Sequence, residues 1–209
     1  MEDKEKKLIK KIWKGIHDND LETLIDCFEA LKCIDGDINT VDMNGDNFLH
    51  LSAVPGCDFS IFNFFLNEGV NYHTIDDLDM TPLLIALCGE DKDKVLSILK
   101  KGIVLDPEVE KNLSSLHESV KSKMGREIFE LLLESGGDIN IKDENGDTPL
   151  HVYIRERDDF SLDDFKYYIE EAGANPEIKN NEGKDIKEEA IIKGNSEAVK
   201  LIQNKHKAS

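Results

Sequence analysis

The sequence predicts an all-α fold, an α-solenoid of stacked helix-turn-helix repeats with hairpin turns and a helical cap at each end. Three observations carry this expectation. A bulky apolar pair, two polar residues and a Gly recur as Phe65-Leu66-Asn67-Glu68-Gly69, Ile98-Leu99-Lys100-Lys101-Gly102, Leu132-Leu133-Glu134-Ser135-Gly136 and, with one residue more, Tyr168-Ile169-Glu170-Glu171-Ala172-Gly173; the glycines stand 33, 34 and 37 residues apart. A second marker precedes each: Asn47-Phe48-Leu49-His50, Thr81-Pro82-Leu83-Leu84, Ser114-Ser115-Leu116-His117 and Thr148-Pro149-Leu150-His151, spaced 34, 33 and 34. Fixed self-similarity in this range marks a row of supersecondary units, none of which can bury its apolar stripe alone. The third observation is size: 209 residues, 39% of them apolar, suffice for a core without a disulfide or metal.

Taken along the chain, residues 6–33 hold two apolar periodic stretches, Leu8, Ile9, Ile12, Trp13, Ile16 and then Leu21, Leu24, Ile25, Phe28, Leu31. They predict a first helix pair acting as the N-terminal cap, residues 1–35. Four repeats are expected over 36–180. In the last, Asp143-Glu144-Asn145-Gly146-Asp147 reads as a turn, because Asn and Asp bond their own backbone and Gly supplies positive φ. Thr148 then suits an N-cap and Pro149 the first helical position. Ser161-Leu162-Asp163-Asp164 reads as a capping box opening a second helix, with Leu162, Phe165, Tyr168 and Ile169 at helical spacing. Gly173 ends it in the C′ manner. Ile186, Ala190, Ile191, Ala198, Val199, Leu201 and Ile202 predict a closing pair, the C-terminal cap over 181–209, and the whole of 1–209 is expected to form a single domain.

The Thr-Pro-Leu-His helix start and the Leu-Leu-x-x-Gly helix end together resemble the ankyrin-repeat family, over about residues 35 to 180. Several positions depart from the family's pattern. Leu84 stands where it has His, Asp79 where the hairpin Gly sits, and Ser114-Ser115 replace Thr-Pro. Asp106-Pro107-Glu108 suggests an irregular hairpin. Tyr153 occupies the place of a small Ala, and the link after it is expected to be about four residues longer, through Arg157-Asp158-Asp159-Phe160. Degenerate repeats of this kind predict uneven local stability.

Composition narrows the function. With 26 Lys plus Arg against 44 Asp plus Glu, the formal charge is −18; such a surface repels phosphate backbones and anionic lipid, so neither nucleic acid nor membrane is an expected partner. No apolar run approaches a membrane span, and no uninterrupted apolar signal segment follows Met1. Cys27, Cys33, Cys57 and Cys88 show no two-residue spacing of a zinc or redox motif; they read as reduced, buried thiols of a cytoplasmic protein, although two bridges remain formally open. The six lysines Lys4, Lys6, Lys7, Lys10, Lys11 and Lys14 read as the solvated face of the N-terminal cap rather than a membrane-surface helix.

No catalytic, metal or cofactor site is expected. His50, His117 and His151 fall at equivalent places of the repeat, and the resemblance implies that they bond neighbouring turns rather than catalyse. The acidic turns around Asp35, Asp42 and Asp143 lack the register of an EF-hand loop. What remains is a surface. The resemblance implies that hairpin tips and first helices line a concave face open to partners. Onto this sequence it projects Met43, Asn44, Asp46 and Val54, then Asp77, Leu78, Met80 and Cys88. The third repeat gives Glu110, Lys111 and Lys121, and the fourth Glu144, Asn145, Asp147, Arg155 and Glu156. Leu78 and Met80 are apolar where polar residues are the norm; an interface core and packing onto the neighbouring hairpin both explain them. The expected function is non-enzymatic protein–protein interaction by a monomer, one acidic groove meeting a protein with a basic contact surface. The alternative is a stoichiometric inhibitor or immunity-type protein that blocks an enzyme's active site, with Arg157 to Ser161 as a plug. An enzyme built on His117 or His151 beside a Cys or carboxylate is the third class.

Overall fold

The computed structural model describes residues 2–107, 109, 114–122 and 124–208. Among these residues every regular element is a helix, twelve in all, in two compact units, Met1–Gly102 and Ile103–Ser209. The first unit holds α1 (Glu2–Asp18), α2 (Leu21–Lys32), α3 (Phe48–Ala53), α4 (Phe59–Asn67), α5 (Pro82–Cys88) and α6 (Lys92–Leu99); α1 packs on α2 and α3, α3 on α4 and α5, and α4 on α6. The second holds α7 (Ser115–Lys121), α8 (Arg126–Glu134), α9 (Pro149–Glu156), α10 (Leu162–Glu170), α11 (Ile186–Ile192) and α12 (Ser196–Ala208), with α9 between α7 and α11 and α10 against α12. Each unit is thus a helical-repeat stack of three helix pairs.

The helices start where short polar side chains can take orphan backbone donors. Asn47 caps α3 reciprocally with His50, Asp185 caps α11 with Glu188, and Thr148 caps α9 with His151 ahead of Pro149. Ser161 Oγ accepts from Asp164 N at 3.2 Å, one half of the box expected there. The glycines of the repeat marker, Gly69, Gly102, Gly136 and Gly173, all have positive φ, between +72° and +98°, and a Cβ on any of them would meet nothing within 4 Å. Backbone handedness, not space, demands Gly there. Asp79, standing in for a hairpin glycine, takes φ +59°, a region that Asp tolerates better than most residues.

The cores are built from the predicted stripes. In α1, Ile9, Ile12 and Ile16 are buried and the six lysines lie exposed. In α2 the stripe is Leu24, Cys27, Phe28 and Leu31, whereas Ile25, expected inside, is 37% exposed. The i, i+3, i+4, i+7 rule selects Cys27 in its place. Phe28, Phe48, Phe64 and Phe65 meet edge-on or stacked at 5.3–6.1 Å, and each of the three fully buried ones, Phe28, Phe48 and Phe65, contributes about 2 kcal/mol. None of the four cysteines is in a disulfide; only Cys27 is buried, while Cys57 is half-buried and Cys33 and Cys88 are exposed.

Polar contacts tie one pair to the next. His50 Nε2 lies 3.2 Å from Met80 O, His117 Nε2 2.9 Å from Asp147 O and His151 Nε2 3.2 Å from Lys184 O. Because Asn47 N and Thr148 N donate to Nδ1 of His50 and His151, those rings carry their proton on Nε2 and donate it onward. Cations close the other end of the first helices. Lys94, fully buried, donates to Val54 O at 3.0 Å; Arg157 donates to Val120 O and Ser122 O; Lys193 donates to Arg155 O at 3.0 Å. Each meets carbonyls that a helix C-terminus leaves without a partner, where positive charge is favoured.

The four extra residues of the fourth repeat are not all in its link. Compared with the second repeat, α9 is 8 residues against 7, α10 is 9 against 8, and the link 157–161 is two residues longer than 89–91. Tyr153 is the reason. Its buried ring stacks with Phe165 and meets Tyr168 and Phe160 edgewise or tilted, filling the space where Ser52 and Ala86 let helices approach. The phenol oxygen accepts from Ser161 N at 3.0 Å and donates to Ser161 O at 3.2 Å. Tyr153→Phe keeps the ring and removes both bonds. Calorimetry should show a loss of about 1 kcal/mol, a Tm lower by roughly 4 °C; an unchanged Tm would mean the phenol does not hold the link.

Candidate functional site

The hairpins are built by one device used four times. Asp42 Oδ1 accepts from Asn44 N and Asp46 N, Asp76 Oδ1 from Leu78 N and Met80 N, Asp143 Oδ1 from Asn145 N and Asp147 N, and Asn180 Oδ1 from Glu182 N and Lys184 N, all at 2.8–3.1 Å. Such Asx turns replace a backbone turn with a side-chain acceptor. Neighbouring hairpins then join main chain to main chain: Asp77 N donates to Asn44 O at 2.8 Å in the first unit, and Asn181 N to Asn145 O at 2.9 Å in the second. Gly146 permits the second junction, since a Cβ there would stand 2.5 Å from Asn181 Oδ1.

With the backbone occupied in this way, tip side chains are left facing outward. Met43 is 90% and Leu78 80% exposed, so Leu78 does not pack onto its neighbour; Met80 is half-buried. Asn44, Asp77, Glu144 and Asn145 are exposed, as are Val54, Cys88, Lys121 and Glu156, and Asp46 and Arg155 are partly covered. Glu110 and Lys111 lie outside the described residues. Val41 (45%) and Ile75 (41%) add apolar surface that the sequence reading missed. Both directly precede the Asx aspartate, where the second unit has Lys142 and Lys179, and that substitution was the available signal.

Asp147 is a correction. Expected on the face, it is 1% exposed: Arg155 Nη1 donates to its Oδ2 at 2.6 Å and Asn180 Nδ2 to its Oδ1 at 2.8 Å. It is part of the packing between α9 and the last hairpin. The link 157–161 is likewise tied inward through Arg157, leaving Asp158 95% exposed. Among the described residues no three His, Cys, Asp or Glu side chains come together as a metal site, and no helix is long and apolar enough to cross a membrane.

Asp46, partly desolvated and facing Asp42, Asp76 and Asp77, is pushed up to about 6 from the usual 3.8. Burial lowers His50 and His117, against the pull of the carbonyls they bond.

Comparison with known proteins gives the following. Residues 116–209 match the family model described as ankyrin repeats (3 copies). An L-asparaginase of Dirofilaria immitis is 27% identical over 155 residues, 68% of this chain, which spans only 26% of that protein's length. Among solved structures, the ankyrin repeat protein EF0377 superposes with TM-score 0.79 at 21% identity, over 93% of this chain and 97% of that one. One chain of the structure of the predatory endopeptidase Bd0816 of Bdellovibrio bacteriovorus in complex with immunity protein Bd3460 gives TM-score 0.72 at 20% identity, over 94% of this chain and 98% of that one.

The two aspartates at equivalent hairpin positions should respond oppositely to amidation. Asp46 binds its proton more tightly in the folded chain, so its contribution to stability falls as pH rises from about 4 to about 6. Asp46→Asn should therefore raise Tm by roughly 2 °C at pH 7 and leave it unchanged at pH 4, after allowing for solvent screening. Asp147→Asn should lower stability by about 2 kcal/mol at pH 7, because Arg155 loses a charged partner. Thermal melts at the two pH values decide both; a gain for Asp147→Asn would overturn its placement.

Proposed function

We propose that this chain, an ankyrin-repeat protein, is a binding module without chemistry of its own, and that its acidic hairpin tips recognise a protein through basic side chains. The protein-binding role is that of the repeat family; the acidic contact is our reading of this sequence. One observation carries it. In the first unit Met43 and Leu78 stand 90% and 80% exposed beside Asp42, Asp46, Asp76, Asp77 and Asp79. Apolar groups within a charged rim match the core-and-rim anatomy of a protein interface. The charge of −18 adds long-range attraction for a basic partner, which speeds encounter and makes binding salt-sensitive. In the second unit Glu144 and Asn145 offer a polar counterpart of the same tip.

Four cysteines with no disulfide between them support a reducing, cytoplasmic setting. A narrower reading, in which the partner is an enzyme held at one-to-one stoichiometry, draws support from the fold shared with a structure that pairs an endopeptidase with an immunity protein. Inhibition of a captured enzyme at equimolar ratio separates it from scaffolding.

Capture from native lysate at low and high salt, with identification of what salt removes, supplies the partner. Asp77→Lys combined with Glu144→Lys reverses exposed charges in each unit without touching a side chain that builds a turn. Affinity for the salt-sensitive partner should fall at least roughly tenfold, with no loss of thermal stability, since Asp77→Lys also relieves Asp46. Equal affinity would move the binding surface away from the tips.

A further inference from the structure

The last full repeat carries an internal example of what its first counterpart lacks. In the second unit, Asp147 receives Arg155 Nη1 at 2.6 Å and Asn180 Nδ2 at 2.8 Å, and is closed from solvent. The same repeat positions in the first unit hold Asp46, Val54 and Asp76. The acid is kept and both of its partners are replaced. Val54 has no cation to offer, and Asp76, whose Oδ1 builds the turn as Asn180 Oδ1 does, has a second oxygen in place of the amide donor.

We propose that Asp46 and Asp76 form the seat for an arginine side chain of the protein partner, which enters in trans at the place that Arg155 fills in cis. This deepens the acidic-tip reading and rests on it. A guanidinium fits better than an ammonium. It is the group found at Asp147, its planar fork can meet two carboxylates at once, and it sheds water more easily. Val54, 39% exposed, and the apolar tip residues Met43 and Leu78 offer surface to the arginine's methylene stem and its neighbours. The charged and titratable groups facing Asp46 are Asp42 of its own hairpin and Asp76 and Asp77 of the next, all of one sign. Among the described residues no ion pair neutralises Asp46, and its elevated titration reflects that.

Two variants rebuild the missing partners inside the chain. Val54→Arg supplies the cation, and Asp76→Asn supplies the donor while keeping the turn, as Asn180 demonstrates. The readout is the carboxyl-carbon titration of Asp46 by NMR, with thermal melts confirming that each variant folds. Each variant should lower the Asp46 midpoint by about one unit or more. In the unmodified chain, a short acetylated, amidated Gly-Arg-Gly peptide should lower the midpoint and its citrulline analogue should not; in Val54→Arg the arginine peptide should have no further effect. A midpoint left in place by both folded variants, or an equal response to the citrulline peptide, overturns the proposal. So does a partner whose affinity is unchanged by Val54→Arg while Asp77→Lys with Glu144→Lys abolishes it, a result that would leave the acidic-tip reading standing.

Discussion

The fold depends on a buried hydrogen bond that no helix pair can make for itself. A histidine in the first helix of a repeat accepts at Nδ1 from its own helix start and gives Nε2–H to a carbonyl of the next hairpin, as His50 does to Met80 and His151 to Lys184. An imidazole suits the task because its two nitrogens differ in role and lie on opposite sides of a rigid ring. The bond fixes where the following hairpin sits. Only then can Asp77 N reach Asn44 O, or Asn181 N reach Asn145 O, and only then do the tip side chains face outward. The same ring is thereby engaged on both sides and desolvated, which suits stacking and ill suits proton transfer.

Much of this was legible in the sequence because it is local and periodic. Caps, turn aspartates and C′ glycines act within five residues of themselves, so their spacing reveals them. Leu84 in place of a histidine marks the one first helix of the four repeats that lacks the ring. What could not be read is what depends on contacts far along the chain. Asp46 and Asp147 have the same local sequence pattern, yet one is partly open and the other closed. The difference lies eight residues on, in Val54 against Arg155, and about a repeat on, in Asp76 against Asn180. Tyr153 misled in a similar way: its size is plain in the sequence, but the two extra link residues it requires are fixed by where its hydroxyl meets Ser161. Ile25 lies outside for a simpler reason, since Leu24 and Phe28 already define a stripe that passes it by.

Positive charge is used sparingly in this chain and mostly for structure. Lys94, Arg157 and Lys193 each close a first helix by reaching carbonyls at its C-terminal end. Burying an ammonium as Lys94 does is costly unless it is bonded, and Val54 O, Asp91 at 3.2 Å and the Phe62 ring at 5.9 Å together meet that need. These cations are therefore committed to the fold. The acids at the tips face outward with few internal counterions.

Negative charge at the hairpins exceeds what the turns require. Asn180 builds its turn with the same two bonds, at 3.1 Å each, that Asp42, Asp76 and Asp143 make with a carboxylate. An amide would thus have served at all four positions. At Asp76 the carboxylate carries a cost, for it helps to push Asp46 up, whereas Asn180 at the equivalent place donates a hydrogen bond to Asp147. A residue that leaves the turn unchanged and strains its neighbour is not explained by folding. The arginine proposed above would account for it: entering from a partner, it would find two carboxylates and a short Val54 where the last repeat has filled the place with its own Arg155.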